Sequence, residues 1–223
     1  PATVLLTSLL PESTVGLDDL LAARATDPEA LTLSIVGPPG VEEFVAGIAA
    51  SNTPGSSGLS AIHGLQRLSG FSVGELDGTG GTLGRGDIEI HWAALGSDPI
   101  QSIGYRFSRG ETCVVVSARV FEEEALLELG ADCDLWVQSA TYRTSVESAI
   151  EAGASEPDRL RTIASHALAV EDLGSLASRM GIGHLILTQL SPPPVFGFQY
   201  TRIVARDFEG AASVASDGDT YTP

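Results

Sequence analysis

Apolar and polar positions change period several times along this chain, and each change marks an element. Val4-Leu5-Leu6 is a short apolar run that reads as a strand. Residues 14–24 then set Val15, Leu17, Leu20 and Leu21 at helical spacing, with acids early and Arg24 late, until Asp27-Pro28 breaks the pattern. Leu31 to Val36 is rich in strand formers. Gly37-Pro38-Pro39-Gly40 turns that strand into a helix from Val41 to Ala50, whose Glu42 and Glu43 suit the positive end of a helix dipole. Ser51 to Ser60 is a polar loop, and Ala61 to Leu68 reads as a short helix holding His63.

The middle of the chain is strand-rich. Residues 70–86 carry many glycines and read as strands joined by turns, with Asp77-Gly78 as a hairpin signal. Asp87 to Trp92 alternates as a half-exposed strand would. Gly104 to Phe107 and Cys113 to Val116 predict two further strands linked through Arg109-Gly110. From there helices and strands alternate. Helical spacing covers Phe121–Leu129, Ser145–Ala152, Val170–Met180 and Thr201–Phe208. Strand composition covers Asp134–Val137, His184–Thr188 and Ala212–Ala215. Ser191-Pro192-Pro193-Pro194 is a rigid loop. This order predicts helices packed on sheets.

Several of these stretches together resemble the metallo-β-lactamase superfamily, in its RNase Z and arylsulfatase-like branch. The resemblance rests on Thr7-Ser8-Leu9-Leu10-Pro11-Glu12-Ser13 between a strand and a Gly16-Leu17 helix start, on "VGPPG", "IGYRF" and "LWVQSATY", and on the long run from Ser165 to Pro192. It covers nearly the whole chain. It implies an α/β fold of the metallo-β-lactamase-like αββα sandwich type: two mixed β-sheets flanked by helices, in one domain spanning residues 1–223. It also implies that the roughly sixty residues which precede the loop in the family are missing, so that a homo- or hetero-oligomeric partner would complete an otherwise open sheet edge.

The ligands of that family do not follow its frame. A two-zinc site needs imidazoles and carboxylates converging at about 2 Å from each metal. The family's Thr-His-x-His-x-Asp-His loop here has Ser8, Leu10 and Ser13 at its histidines and Glu12 at its aspartate. Its next histidine falls in Gly96-Ser97-Asp98-Pro99, where Asp98 is the one side chain able to ligate. Arg119 stands at the bridging carboxylate, and a guanidinium is no zinc ligand. Gln138 and Ser139 match the family's His-Glu, and Gln189 its last histidine. His166, in Ser165-His166-Ala167, is the one active-site histidine kept. The resemblance therefore implies no metal and no cofactor. It points to a pseudoenzyme, with Ser8, Ser13, Asp98, Gln138, Ser139 and Gln189 lining a vacated metal pocket. The alternative is a metal-independent enzyme using His166, Glu12 and Arg119 on a small anionic substrate. A zinc hydrolase with unusual ligands is the weaker alternative.

Charge changes this picture. The 223 residues carry 12 Lys+Arg against 29 Asp+Glu, a net charge of −17, and none of the twelve is lysine. That balance opposes phosphate-backbone binding and counts against a nucleic-acid substrate. Absent lysine excludes lysine Schiff-base chemistry. No apolar run is long enough to cross a bilayer, which excludes a membrane partner and predicts a cytoplasmic protein. In that compartment Cys113 and Cys133 are expected to be buried reduced thiols. His63, His91 and His184 have no ligand spacing and are expected at the surface or at strand ends.

Overall fold

Apolar runs at three separate places in the first third of the chain come together as one small sheet. The computed structural model describes residues 3–25, 32–51, 71–97 and 100–223. It divides into two compact units, residues 1–78 and 79–223. In the first, β1 (Thr3–Leu5), β2 (Leu33–Gly37) and β3 (Phe71–Glu75) pair in the order β1-β2-β3, all parallel. The two expected sheets with flanking helices are present, and among the described residues only the larger is mixed, while this one is all parallel. Parallel neighbours need long crossovers, and the helical segments between these strands supply them. Helices α1 (Pro11–Thr14), α2 (Leu17–Ala25) and α3 (residues 41–51) belong to this unit. Leu6, Leu17, Leu21, Leu33, Ile35, Val41 and Val45 form its core. The helix expected over residues 14–24 begins only at Leu17, and Thr14 is the last residue of α1. Val15 and Gly16 separate α1 from α2, with Gly16 at φ 87°. At the N-terminus of α3, one Glu75 oxygen accepts the Gly40 N–H at 2.8 Å and the Glu42 N–H at 3.4 Å, so an anion caps the positive end.

The second unit is a seven-stranded mixed sheet in the order β10-β9-β8-β7-β6-β5-β4. Strands β4 (Gly80–Arg85), β5 (Ile88–Gly96), β6 (Ser102–Arg109) and β7 (Thr112–Ser117) run as an antiparallel meander. Helix α4 (Glu123–Gly130) then leads to β8 (Leu135–Thr141), the first parallel neighbour. Helices α5 (Arg143–Glu151), α6 (Pro157–Ser165) and α7 (Val170–Met180) precede β9 (His184–Ser191). Helix α8 (Phe198–Val204) precedes β10 (Ala211–Val214). Trp136, Leu126, Leu173, Ala177, Leu185, Leu187 and Tyr200 sit in the core of this unit. The switch from antiparallel to parallel pairing explains why the alternation of Asp87–Trp92 gives way to the near-continuous apolar runs of β8 and β9.

Three further expectations change. Asp77-Gly78 makes no hairpin: β3 pairs only with β2 among the described residues, and β4 turns back on β5 through Gly86-Asp87 instead. The charged Arg85-Gly-Asp sequence offers the same turn chemistry, with Gly86 at φ 68°. Cys113 and Cys133 are buried, as expected, but joined as a disulfide with Cα atoms 4.9 Å apart, so they are not free thiols. Adjacent strand starts bring them within bridging distance. Helix α6 was not foreseen. Pro157 supplies its first turn, and Leu160, Ile163 and Ala164 are its short apolar face. The helix expected at 61–68 with His63, the loop 52–60, the Asp27-Pro28 break and Asp98 lie outside the described residues. No helix of the described residues is long and apolar enough to cross a membrane.

Two side chains hold helix ends in this unit, one from the sheet and one from a neighbouring helix. Arg106 of β6 donates to the carbonyls of Leu129 at 3.1 Å and Ala131 at 2.7 Å, which places a cation at the negative end of α4. Replacing Arg106 with Met should lower stability by about 1–3 kcal/mol, read as a lower midpoint in urea. Glu171 of α7 accepts the Thr144 N–H at 2.8 Å, the Thr144 hydroxyl at 2.7 Å and the Arg143 N–H at 3.4 Å, and so caps α5 from outside. Burial alone would raise its carboxyl pKa, but these donors outweigh it and hold the group below the usual value. A depressed folded pKa stabilises the protein above the unfolded value and loses that contribution as pH falls through the folded one. Wild type should therefore melt above Glu171→Gln at neutral pH, with the gap closing below about pH 4. A gap constant across that range would contradict this.

Candidate functional site

The loop after β1 is built from hydroxyls. The Ser8 hydroxyl is buried and lies 2.8 Å from that of Ser13, and it accepts the Leu10 N–H at 3.3 Å. The Ser13 N–H donates to the Leu10 carbonyl at 2.9 Å, and the Thr14 hydroxyl to the same carbonyl at 3.0 Å. Pro11-Glu12-Ser13 forms the single turn of α1, with Glu12 exposed upon it. Ser8 and Ser13 are thus brought together, but each spends its hydroxyl on the loop.

In the second unit, the C-terminal ends of β7 and β8 converge on one buried carboxamide. Gln138 has no exposed surface. Its Oε1 accepts the Ser117 hydroxyl at 2.5 Å, and its Nε2 donates to the carbonyls of Ala118 and Ser139, both at 2.6 Å. The Trp136 indole donates to the Ser117 oxygen at 2.9 Å. The Ser139 hydroxyl donates to the Ala118 carbonyl at 2.9 Å, so its one proton goes to main chain rather than to a base. Burying such a group without partners would cost a few kcal/mol, and here every polar atom of Gln138 is met.

This cluster holds the turn that presents Arg119. The Arg119 carbonyl accepts the Ser102 hydroxyl at 2.7 Å, and its Nη1 donates to the His166 carbonyl at 2.8 Å. His166 is the residue that ends α6, so the guanidinium sits against the negative end of a helix. The His166 ring meets Phe121 edge-on, with centroids 5.8 Å apart. Arg119 and His166 are therefore neighbours, joined by a guanidinium-to-carbonyl hydrogen bond. Gln189 is exposed near the end of β9, at φ 46°, where the β8–β9 register slips. His91 and His184 fall where expected. The first is half-exposed within β5 beside Glu89, the second at the start of β9 with its Nε2 2.8 Å from the Ser213 hydroxyl.

These side chains do not fit a dinuclear zinc centre. A guanidinium cannot ligate, the Gln138 amide is fully committed, and the Ser8, Ser13 and Ser139 hydroxyls are engaged. Among the described residues, no group of three or more His, Cys, Asp or Glu side chains converges. Sequence reasoning named Gln138 and Ser139 as pocket lining and missed the role of Trp136 and Ser117. The signal was present: a Gln inside the apolar run of β8 must find buried partners.

No protein-family model matches the chain. It is 27% identical over 223 residues to the Ribonuclease Z of Mycobacterium avium, which spans 97% of this chain and 77% of that protein. The Ribonuclease Z of Mycolicibacterium paratuberculosis matches at the same identity and coverage. Among solved structures, the metallo-beta-lactamase fold protein YhfI from Bacillus subtilis superposes with a TM-score of 0.65 at 16% identity, over 99% of this chain and 77% of that one. Human tRNase Z, short form, gives 0.62 at 14%, over 97% and 76%. Zn(2+)-bound PqqB from Methylobacterium extorquens gives 0.58 at 17%, over 99% and 71%.

Two substitutions separate scaffold from strain. Gln138→Leu should cost about 2–4 kcal/mol, because it strands buried partners. Gln189→Gly should raise stability by up to about 1 kcal/mol, because it relieves a left-handed conformation. Both are read from urea midpoints.

Proposed function

Starting from the metallo-β-lactamase fold that this chain shares with those structures, we propose that it is a relative of RNase Z-like hydrolases which has given up catalytic zinc and acts as a binding or partner subunit. The observation that carries the reading is the Arg119 guanidinium held on the His166 carbonyl. By the resemblance, this is the place of the bridging carboxylate. A fixed positive charge there opposes a second positive charge, so metal binding loses on electrostatics as well as on ligand count. The serine hydroxyls engaged within the loop after β1 support the same reading. So does the net charge of −17, which opposes the polyanionic substrate of an RNase Z. Fold alone sets no activity, so the argument rests on these side chains.

A zinc site would stabilise the folded chain by about 2.7 kcal/mol at a hundredfold excess over its dissociation constant. We expect the melting temperature to stay unchanged on adding zinc or a chelator. We expect Arg119→Met to lower stability by about 1–2 kcal/mol through loss of the His166 contact, seen as a lower melting temperature, without creating zinc dependence. A zinc-dependent rise in wild type would replace the proposal with the zinc-hydrolase reading. Metal-free turnover of a small phosphate ester that His166→Ala abolishes would replace the non-catalytic reading with the metal-independent enzyme.

A further inference from the structure

The Cys113–Cys133 disulfide closes a loop, and that loop carries the candidate site of the second unit. Cys113 lies in β7 and Cys133 between α4 and β8, with a sequence separation of 20. Between them run Ser117, the Arg119 turn, Phe121 and all of α4. Both half-cystines are buried, at 4% and 1% exposure, in one core with Leu126 and Leu129 of α4 and Met180 of α7.

Two thiols need more room than one disulfide, and a close-packed core has little room to give. The sheet side of the bridge is held by main chain. The Cys113 N–H donates to the Asp134 carboxylate at 2.8 Å, and the Asp134 N–H to the Cys113 carbonyl at 3.1 Å. The His184 N–H donates to the Asp134 carbonyl at 2.8 Å, which ties the start of β8 to β9. The C-terminal end of α4 is tight as well. A Cβ on Gly130 would lie 2.5 Å from the Met180 sulfur, and one on Gly104 would lie 2.8 Å from Leu129. The N-terminal end of α4 is held less firmly. Glu122 caps it with no side-chain bond, Glu123 and Glu124 are exposed, and Phe121 is 41% exposed. Its main-chain hold is the Leu95 carbonyl, which accepts the Phe121 N–H at 2.7 Å and the Glu122 N–H at 3.1 Å, beside an exposed Glu123–Arg179 ion pair.

We propose that Cys113 and Cys133 form a redox switch for the Arg119 turn. Oxidised, the pair holds α4 and the turn in the geometry described. Reduced, it pushes the N-terminal end of α4 and the turn before it away from the sheet. The step is a thiol–disulfide exchange. A thiolate of a dithiol reductant attacks one sulfur, and its second thiol resolves the mixed disulfide. Two electrons and two protons pass to the protein, leaving two cysteine thiols and one oxidised dithiol. Glutathione disulfide drives the reverse step, yielding two glutathione thiols. A reducing cytosol favours the thiols and an oxidising compartment the bridge, so the turn responds to its surroundings. The switch acts on the turn assigned above to binding, but its readout needs no ligand, so it can fail while that reading stands.

Hydrogen exchange on the oxidised chain, and on the chain reduced with dithiothreitol, tests it, with thiols counted by Ellman's reagent. We expect no thiol before reduction and both cysteines titrating after it. The Phe121 and Glu122 amides should exchange about tenfold or more faster once reduced, while the central amides of β8 and β9 stay unchanged. The double variant Cys113→Ala/Cys133→Ala should show no response to dithiothreitol, and a response there would overturn the proposal. So would a bridge that dithiothreitol leaves intact in the folded chain, or a reduced chain whose Phe121 and Glu122 amides exchange as before. Loss of protection through β8 and β9 also overturns it, because the bond would then staple the whole unit and switch nothing.

Discussion

A carboxamide with no access to water, set between two parallel strands, must satisfy all its hydrogen bonds within the protein or unfold the place it occupies. Gln138 meets that constraint by gathering Ser117, Ala118 and Ser139 around itself, with Trp136 completing the chain of donors. The carbonyl of Ala118 is drawn toward β8 by two donors, Gln138 and Ser139. The next residue, Arg119, is thereby presented beyond the strand end, where its guanidinium reaches the end of α6. The local architecture of the second unit's candidate site is a consequence of one buried amide.

The reading we propose is of a fold kept and a chemistry exchanged. In a metal site of this fold, ligands are held by their bond to the ion, and their orientation is shared with partners behind them. Here the same strand ends are joined directly by hydrogen bonds and by one cation against a helix terminus. Such an arrangement is stable without an ion. That is why we attribute to the chain a role in binding and not in hydrolysis.

Much of the architecture was legible in the sequence because it rests on period and on punctuation. Val170–Met180 was delimited to the residue by its apolar face and by Gly181, which ends the helix at φ 72°. The β6–β7 hairpin followed from two apolar strands around Arg109-Gly110. What failed was pairing at a distance. Asp77-Gly78 carries hairpin chemistry, yet β3 found a parallel partner far back in the chain, and local turn signals say nothing of that competition. The disulfide escaped for a related reason: a separation of 20 residues says nothing of which strand starts adjoin. At the site, residue types show which positions of the family's motif lack its ligands by the resemblance, whereas the hydrogen bonds found there depend on geometry that spacing does not encode. Ser8 with Ser13, and Arg119 with the His166 carbonyl, are both contacts of that kind.

The measurement that tests the central claim most directly is metal content by mass spectrometry. The protein would be purified without chelator, then analysed before and after incubation with zinc and with manganese. The account predicts well below one equivalent in every sample, at about a tenth or less, because among the described residues no group of three or more His, Cys, Asp or Glu side chains converges. Retention near one or two equivalents after desalting would mean that this chain still builds a metal site, and would contradict the account.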